Sequence, residues 1–164
     1  MAALRIAGER LLQHEASDAL LDAVGQALPD DDLDIAAQRL MSLSFYKKQT
    51  KAHVVRAGHI ERVLNAAGKF IDKEIIAKAF MVALNSAEYI PALEVLSKET
   101  RFQDGHPLPQ HLAFACFTLA DDEASFTALL DFTAQTQSGF RASVLEGFRI
   151  GTQGGRSVSR DLIR

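Results

Sequence analysis

A single cysteine, four prolines and no apolar run of the length a bilayer demands set the first limits on this 164-residue chain. Cys116 has no second cysteine with which to close an intrachain disulfide, so the fold must stand without covalent staples, which suits a reducing compartment. It lies in an uncharged run and reads as a small buried hydrophobe. With 4 Pro and 10 Gly the composition fits neither a disordered nor a fibrous chain. A membrane-spanning helix needs about 20 apolar residues in succession, and no stretch approaches that. The N-terminal MAALRIAGERLL intersperses acidic with basic residues around no apolar core, so it does not read as a secretory signal. The expected location is cytoplasmic, with no membrane partner. A formal net charge of −3 argues against a strongly basic nucleic-acid binder.

Catalytic motifs are also missing. No serine sits in a G-x-S-x-G setting and no nucleophile has a base beside it. The glycine-rich GTQGGRS from Gly151 to Ser157 lacks what a phosphate loop requires, a preceding strand and a closing Gly-Lys-Ser/Thr. A helix precedes it and Arg156 follows Gly155, so it reads as a flexible inter-helix turn. Arg149, Arg156 and Arg160 there form at best a modest anion site beside free helix N–H groups. The expectation is therefore no catalytic residue, no cofactor and no metal; these absences weigh against an enzyme without closing that question, since active sites can be assembled from distant residues.

What the sequence does contain is helical pattern. The stretch from Ile75 to Leu96, IIAKAFMVALNSAEYIPALEVL, reads as an apolar helix, a polar break and a second, striped helix. Its first half carries Ile75, Ile76, Ala79, Phe80, Val82, Ala83 and Leu84 with Lys78 as the only charge, which predicts burial around most of its circumference. Similar hairpins align on Leu12, Leu43, Leu84, Leu119 and Ile150, at separations of 31, 41, 35 and 31 residues, the range of two-helix repeats. Ser17 or Asp18 is placed to cap a helix, and Asp30, Asp31 and Asp32 to open the next at its positive end. The 41-residue interval calls for an extra helix over 60–67, with Gly58 and Gly68 as stops on either side. Gly105, Pro107 and Pro109 read as a long loop, and long ordered loops often carry function. Ser138 is the expected cap of a last helix that reads as incomplete. The candidate core is Phe80, Leu84, Leu93, Phe117, Leu119 and Leu129.

These hairpins resemble HEAT-like repeats, best in AKAFMVALNSAEYIPALEVL and AFACFTLADDEASFTALLDF, over residues 75–132. The resemblance implies an all-α fold over 1–164, a single repeat domain built as a short right-handed solenoid of antiparallel helix pairs. An irregular helical bundle is the runner-up, because the spacings are uneven and the stretch 45–73 departs from the pattern. The family is mostly scaffold and adaptor proteins. Some of its members are iron enzymes with repeated His-Glu pairs on helices. Here His14-Glu15 is the single such dipeptide, and His53, His59, His106 and His111 lack one, so no metal site is carried over.

Charge is banded, at −5 over 1–46, +5 over 47–73, −6 over 74–136 and +3 over 137–164. Lys47, Lys48, Lys51 and Arg56 head the first basic band and, with Phe102 and His106 of the long loop, are the candidate partner-binding residues. The expected function is a non-enzymatic protein-interaction module or scaffold, its partner another protein with an acidic surface. The alternative is a nucleic-acid or phosphate-ligand protein using the band 47–73, in the manner of a HEAT-like DNA-repair enzyme.

Overall fold

The structure, a computed structural model, describes residues 2–12, 17–28, 30–46, 56, 58–103, 105–119 and 123–153. Every regular element among them is helical, as the hydrophobic periodicity predicts. The chain divides into two compact units, Met1–Glu88 and Tyr89–Arg164.

The first unit holds α1 (Ala2–Leu12), α2 (Asp18–Gly25), α3 (Leu33–Tyr46), α4 (His59–Ala67) and α5 (Glu74–Ala83), with 3-10 turns at Gly68–Phe70 and Ser86–Glu88. Local chemistry sets the ends. The Ser17 hydroxyl accepts from the Leu20 N–H at 3.2 Å and starts α2, and an Asp32 carboxylate oxygen accepts from the Ile35 N–H at 2.9 Å and starts α3. Each satisfies a backbone donor that helix geometry leaves without a partner. Gly58 at φ 67° precedes α4 and Gly68 at φ 52° follows it, conformations that glycine alone adopts cheaply.

Helix α3 is the hub of this unit. It lies beside α1, α4 and α5 and touches α2, while α2 also packs on α4. Its Leu40 and Leu43 are fully buried, and full burial of a leucine stabilises by roughly 1.5–3 kcal/mol. Helix α4 turns Ile60, Val63, Leu64, Ala66 and Ala67 inward and leaves Glu61 and Asn65 in solvent. It is no surplus element: it pairs with α3 and α2 as an ordinary member of the unit. Helix α5 is less enclosed than its composition suggests. Ile76, Ala79, Phe80 and Ala83 are buried, but Ile75 and Val82 are exposed, so a helix with one charged residue in its middle still keeps a solvent face.

The second unit holds α6 (Tyr89–Ser97), α7 (Pro107–Leu119), α8 (Glu123–Gln135) and α9 (Ser138–Gln153), with a 3-10 turn at Thr100–Phe102. Helix α7 packs mainly on α9 and also on α6 and α8, and α8 meets α6 and α9. The α7–α9 approach depends on glycine. A Cβ at Gly147 would stand 2.4 Å from the Gln110 carbonyl oxygen, and one at Gly151 would stand 2.5 Å from the Phe117 ring. Gly151 therefore belongs to α9, which runs through Gln153, so the first three residues of the expected turn are helical and the rest of it lies outside the described residues. Helix α7 likewise starts earlier than expected, at Pro107. Proline suits a first helical position because its missing N–H has no partner to lose there. Of the candidate core, Phe80, Leu84, Leu93, Phe117 and Leu129 are buried, whereas Leu119 is 50% exposed. As the last residue of α7 it projects past the packed turns.

Candidate functional site

The most polar part of the first unit's interior gathers around Glu88, at the end of the 3-10 turn that follows α5. Its side chain is 0% exposed and that of Arg56 is 4% exposed. Arg56 donates to it three times, from the backbone N–H at 3.1 Å, from Nε at 2.9 Å and from Nη2 at 2.5 Å. The Asn85 N–H adds a fourth bond at 3.0 Å. Arg56 Nη2 and His59 Nε2 both donate to the Ala83 carbonyl, at 3.3 and 3.1 Å, so the cluster also satisfies a carbonyl at the end of α5. Burial opposes ionisation of Glu88, but the bonds from Arg56 and Asn85 outweigh it and hold its carboxyl below the usual range. Burial first, then the Arg56 charge, pull His59 down to about 4, so the imidazole is neutral at physiological pH. Closed to solvent, this cluster cannot meet a substrate; its chemistry is that of a fastening. Removing one partner of such a buried pair costs about 3–5 kcal/mol, because the other charge stays behind uncompensated.

A second buried pair borders an open pocket. Asp31 Oδ2 accepts from the Leu28 N–H at 2.7 Å and from Arg39 Nη1. Beside it lies a pocket of about 190 Å³, walled by Ala27, Leu28, Ala36, Ala66, Ala67 and Phe70. Asp31 and Lys69 supply polar side chains to the lining, and the Lys69 ammonium stands 5.1 Å from the centre of the Phe70 ring. The sequence marked the three aspartates as helix-opening residues, which holds for Asp32. Asp31 does something else, and no local signal announces it, because its partner Arg39 lies two helical turns away along α3.

The residues singled out from sequence fare differently. Lys47, Lys48, Lys51, Arg156 and Arg160 lie outside the described residues, as do His14 and His53. Arg56 is not part of an exposed basic face: it is buried, and its charge is spent on Glu88. Arg62 of the same band bonds Asp22 at 2.7 Å and Asp18 at 3.3 Å, tying α4 to the start of α2. Phe102 is 0% exposed and so offers no contact to a partner. His106 packs edge-on against its ring at 4.9 Å and accepts from the Leu108 N–H through Nδ1 at 3.1 Å, capping α7. Arg149 is exposed and holds Glu146 through two bonds of 2.6 Å. The thiol of Cys116 is pushed up to about 12 by burial, which leaves it inert as a nucleophile.

Among the described residues, no group of three or more His, Cys, Asp and Glu side chains is placed to hold a metal ion. No single helix there is long and apolar enough to cross a membrane. Comparison with protein-family models, with curated proteins and with solved structures finds no match.

Proposed function

We propose that the chain is a non-enzymatic interaction module, a short right-handed solenoid of HEAT-like helix pairs that docks another protein. The observation that carries this reading is the alternation of helices within each unit. In the first, α1, α3 and α5 form one row and α2 and α4 another; in the second, α7 and α9 lie together while α6 packs on α8. The five repeat anchors, Leu12, Leu43, Leu84, Leu119 and Ile150, fall in or at the end of α1, α3, α5, α7 and α9 in turn, one to each odd-numbered helix. Repeats stacked in this way contact their neighbours and keep an outer surface for a partner. Ile6 on α1, Met41 on α3, and Ile75 and Val82 on α5 are exposed aliphatics of one row. Aliphatic side chains of this kind are what a protein partner desolvates. Lys47, Lys48 and Lys51, between α3 and Arg56, remain the basic residues an acidic partner would meet.

A photo-crosslinking side chain at Ile75 or Val82 should trap one and the same protein from a cell extract, and Lys48→Glu with Lys51→Glu should weaken that adduct. The control is Asn65, on the solvent side of α4. An identical set of adducts from Asn65, or none from Ile75 and Val82, would sink the interaction reading. The nucleic-acid alternative has less to draw on, since Arg56 is committed to the buried Glu88 and Arg62 to the surface carboxylates of Asp22 and Asp18.

A further inference from the structure

We infer that the pocket between the α2–α3 connection and the end of α4 is a binding site for a neutral apolar molecule about one ring in size. The walls set the ligand's character. Ala36, Ala66 and Ala67 line it with buried methyl groups, Ala27 stands exposed at the rim, and Leu28 and Phe70 close the sides. Leu28 is a large aliphatic residue left 53% exposed beside this hollow, so part of the wall is apolar surface that a ligand would take out of water. That gain scales with the area covered and asks for no charge on the ligand. The volume sets the size. At about 190 Å³ the space is well below that of a drug-sized ligand site, but exceeds the roughly 150 Å³ of an apolar cavity that takes up benzene. One ring with a single small substituent fits these limits.

The charged groups at the pocket select no ion. Asp31 Oδ2 accepts from the Leu28 N–H at 2.7 Å and from Arg39, and both side chains of that ion pair are buried. Lys69 is the other charged residue of the lining; it is exposed, and its ammonium stands 5.1 Å from the centre of the Phe70 ring. An ammonium ligand would meet Lys69 as a like charge and Asp31 as a carboxylate already spent on Arg39. A carboxylate ligand would face one lysine that water already screens. Either ion gives up hydration that walls of methyl groups, leucine and phenylalanine do not replace, so the neutral molecule of the same shape is preferred. The bond from Asp31 also holds the backbone of Leu28, which keeps that wall in place before a ligand arrives and spares the cost of ordering it. The inference stands apart from the interaction reading: the pocket can take up a neutral ring whether or not the chain docks a protein.

The test is a titration of the full chain with toluene, benzylamine and benzoate, three one-ring molecules that differ chiefly in charge, followed by backbone amide NMR shifts. Toluene should move Leu28, Ala67 and Phe70 with a Kd on the order of 1 mM, in keeping with roughly seven non-hydrogen atoms. Benzylamine and benzoate should each bind at least about tenfold more weakly. Ala27→Leu, at a position open to solvent on the rim, should fill the pocket and abolish the toluene shifts. Leu28→Ala removes an exposed side chain and so leaves the fold in place; it should weaken toluene by about threefold or more as one wall is lost. Either ion binding as tightly as toluene, an absence of toluene shifts at these residues, or a toluene response unchanged in both variants would each overturn the assignment.

Discussion

At the scale of single residues, a side chain's surroundings decide its role more than its type does. Phe117 and Leu119 are two apolar residues two positions apart near the end of α7. Phe117 lies 5.7 Å from the Phe148 ring and 6.0 Å from that of Phe126, centre to centre, whereas Leu119 is exposed. Phe117→Ala should therefore cost about 3–5 kcal/mol, and Leu119→Ala should stay within about 0.5 kcal/mol of wild type, both read from urea midpoints; equal costs would contradict the packing. His59 makes a sharper case. Its folded value of about 4 lies below the ordinary 6.5, so between those pH values the unfolded state holds a proton that the folded state refuses, and stability falls as pH falls. The shift corresponds to on the order of 3 kcal/mol. Glu88 acts in the same direction at lower pH, its contribution present above the unfolded carboxylate value and lost as pH drops through the depressed folded one. The urea midpoint should decline from pH 7 toward pH 4.5, and His59→Gln should flatten the upper part of that decline. A wild-type midpoint that holds steady across this range would show that His59 titrates freely.

At the scale of elements, the sequence disclosed what is local. Ser17 and Asp32 cap by reaching three residues ahead, and Gly58 and Gly68 bracket α4 by backbone conformation alone, so the beginnings of α2, α3 and α4 were readable. The pairings were not. Arg56 looked like one more cation in a basic band because Glu88 is 32 residues away, and Gly151 looked like a turn because nothing in GTQGG announces Phe117 pressed against it. The α7–α9 contact turns that second misreading into a measurement. Alanine within a helix is ordinarily favoured over glycine by about 1 kcal/mol, yet at Gly147 its Cβ would meet the Gln110 oxygen, the Phe114 nitrogen and the Ala113 Cβ, all within 2.9 Å. Backbone cannot step aside as a side chain can. Gly147→Ala should destabilise by about 1–3 kcal/mol, with a smaller effect from Gly151→Ala, where the obstacle is a ring. A stabilised Gly147→Ala protein would mean that the two helices lie further apart.

At the scale of the whole molecule, the all-α architecture followed from the hydrophobic period, while the leucines and isoleucine aligned as repeat anchors fall in or at the ends of α1, α3, α5, α7 and α9, with Leu119 facing solvent. Function was far less legible, since the protein-docking surface proposed for the chain would need no fixed motif and the charge bands mix solvated with internally paired groups. Subtracting Arg56 and Arg62, the first band is weaker than its formula suggests. Retention on heparin should accordingly be slight, ending by roughly 0.15 M salt as surface charges are screened. Elution only above about 0.5 M, with a steep dependence on salt, would restore the nucleic-acid alternative. The clasp between Arg56 and Glu88 also has a bearing on how the protein is made. Synthesis delivers the guanidinium first, and some thirty more residues must follow before the carboxylate that neutralises it arrives. Until then the α3–α4–α5 interior would have to enclose an unanswered charge, so a nascent chain is held back from closing early. The same logic fixes where the first unit can be cut: a fragment ending at Ala83 keeps every helix of the unit and loses its latch, while one ending at Glu88 retains both.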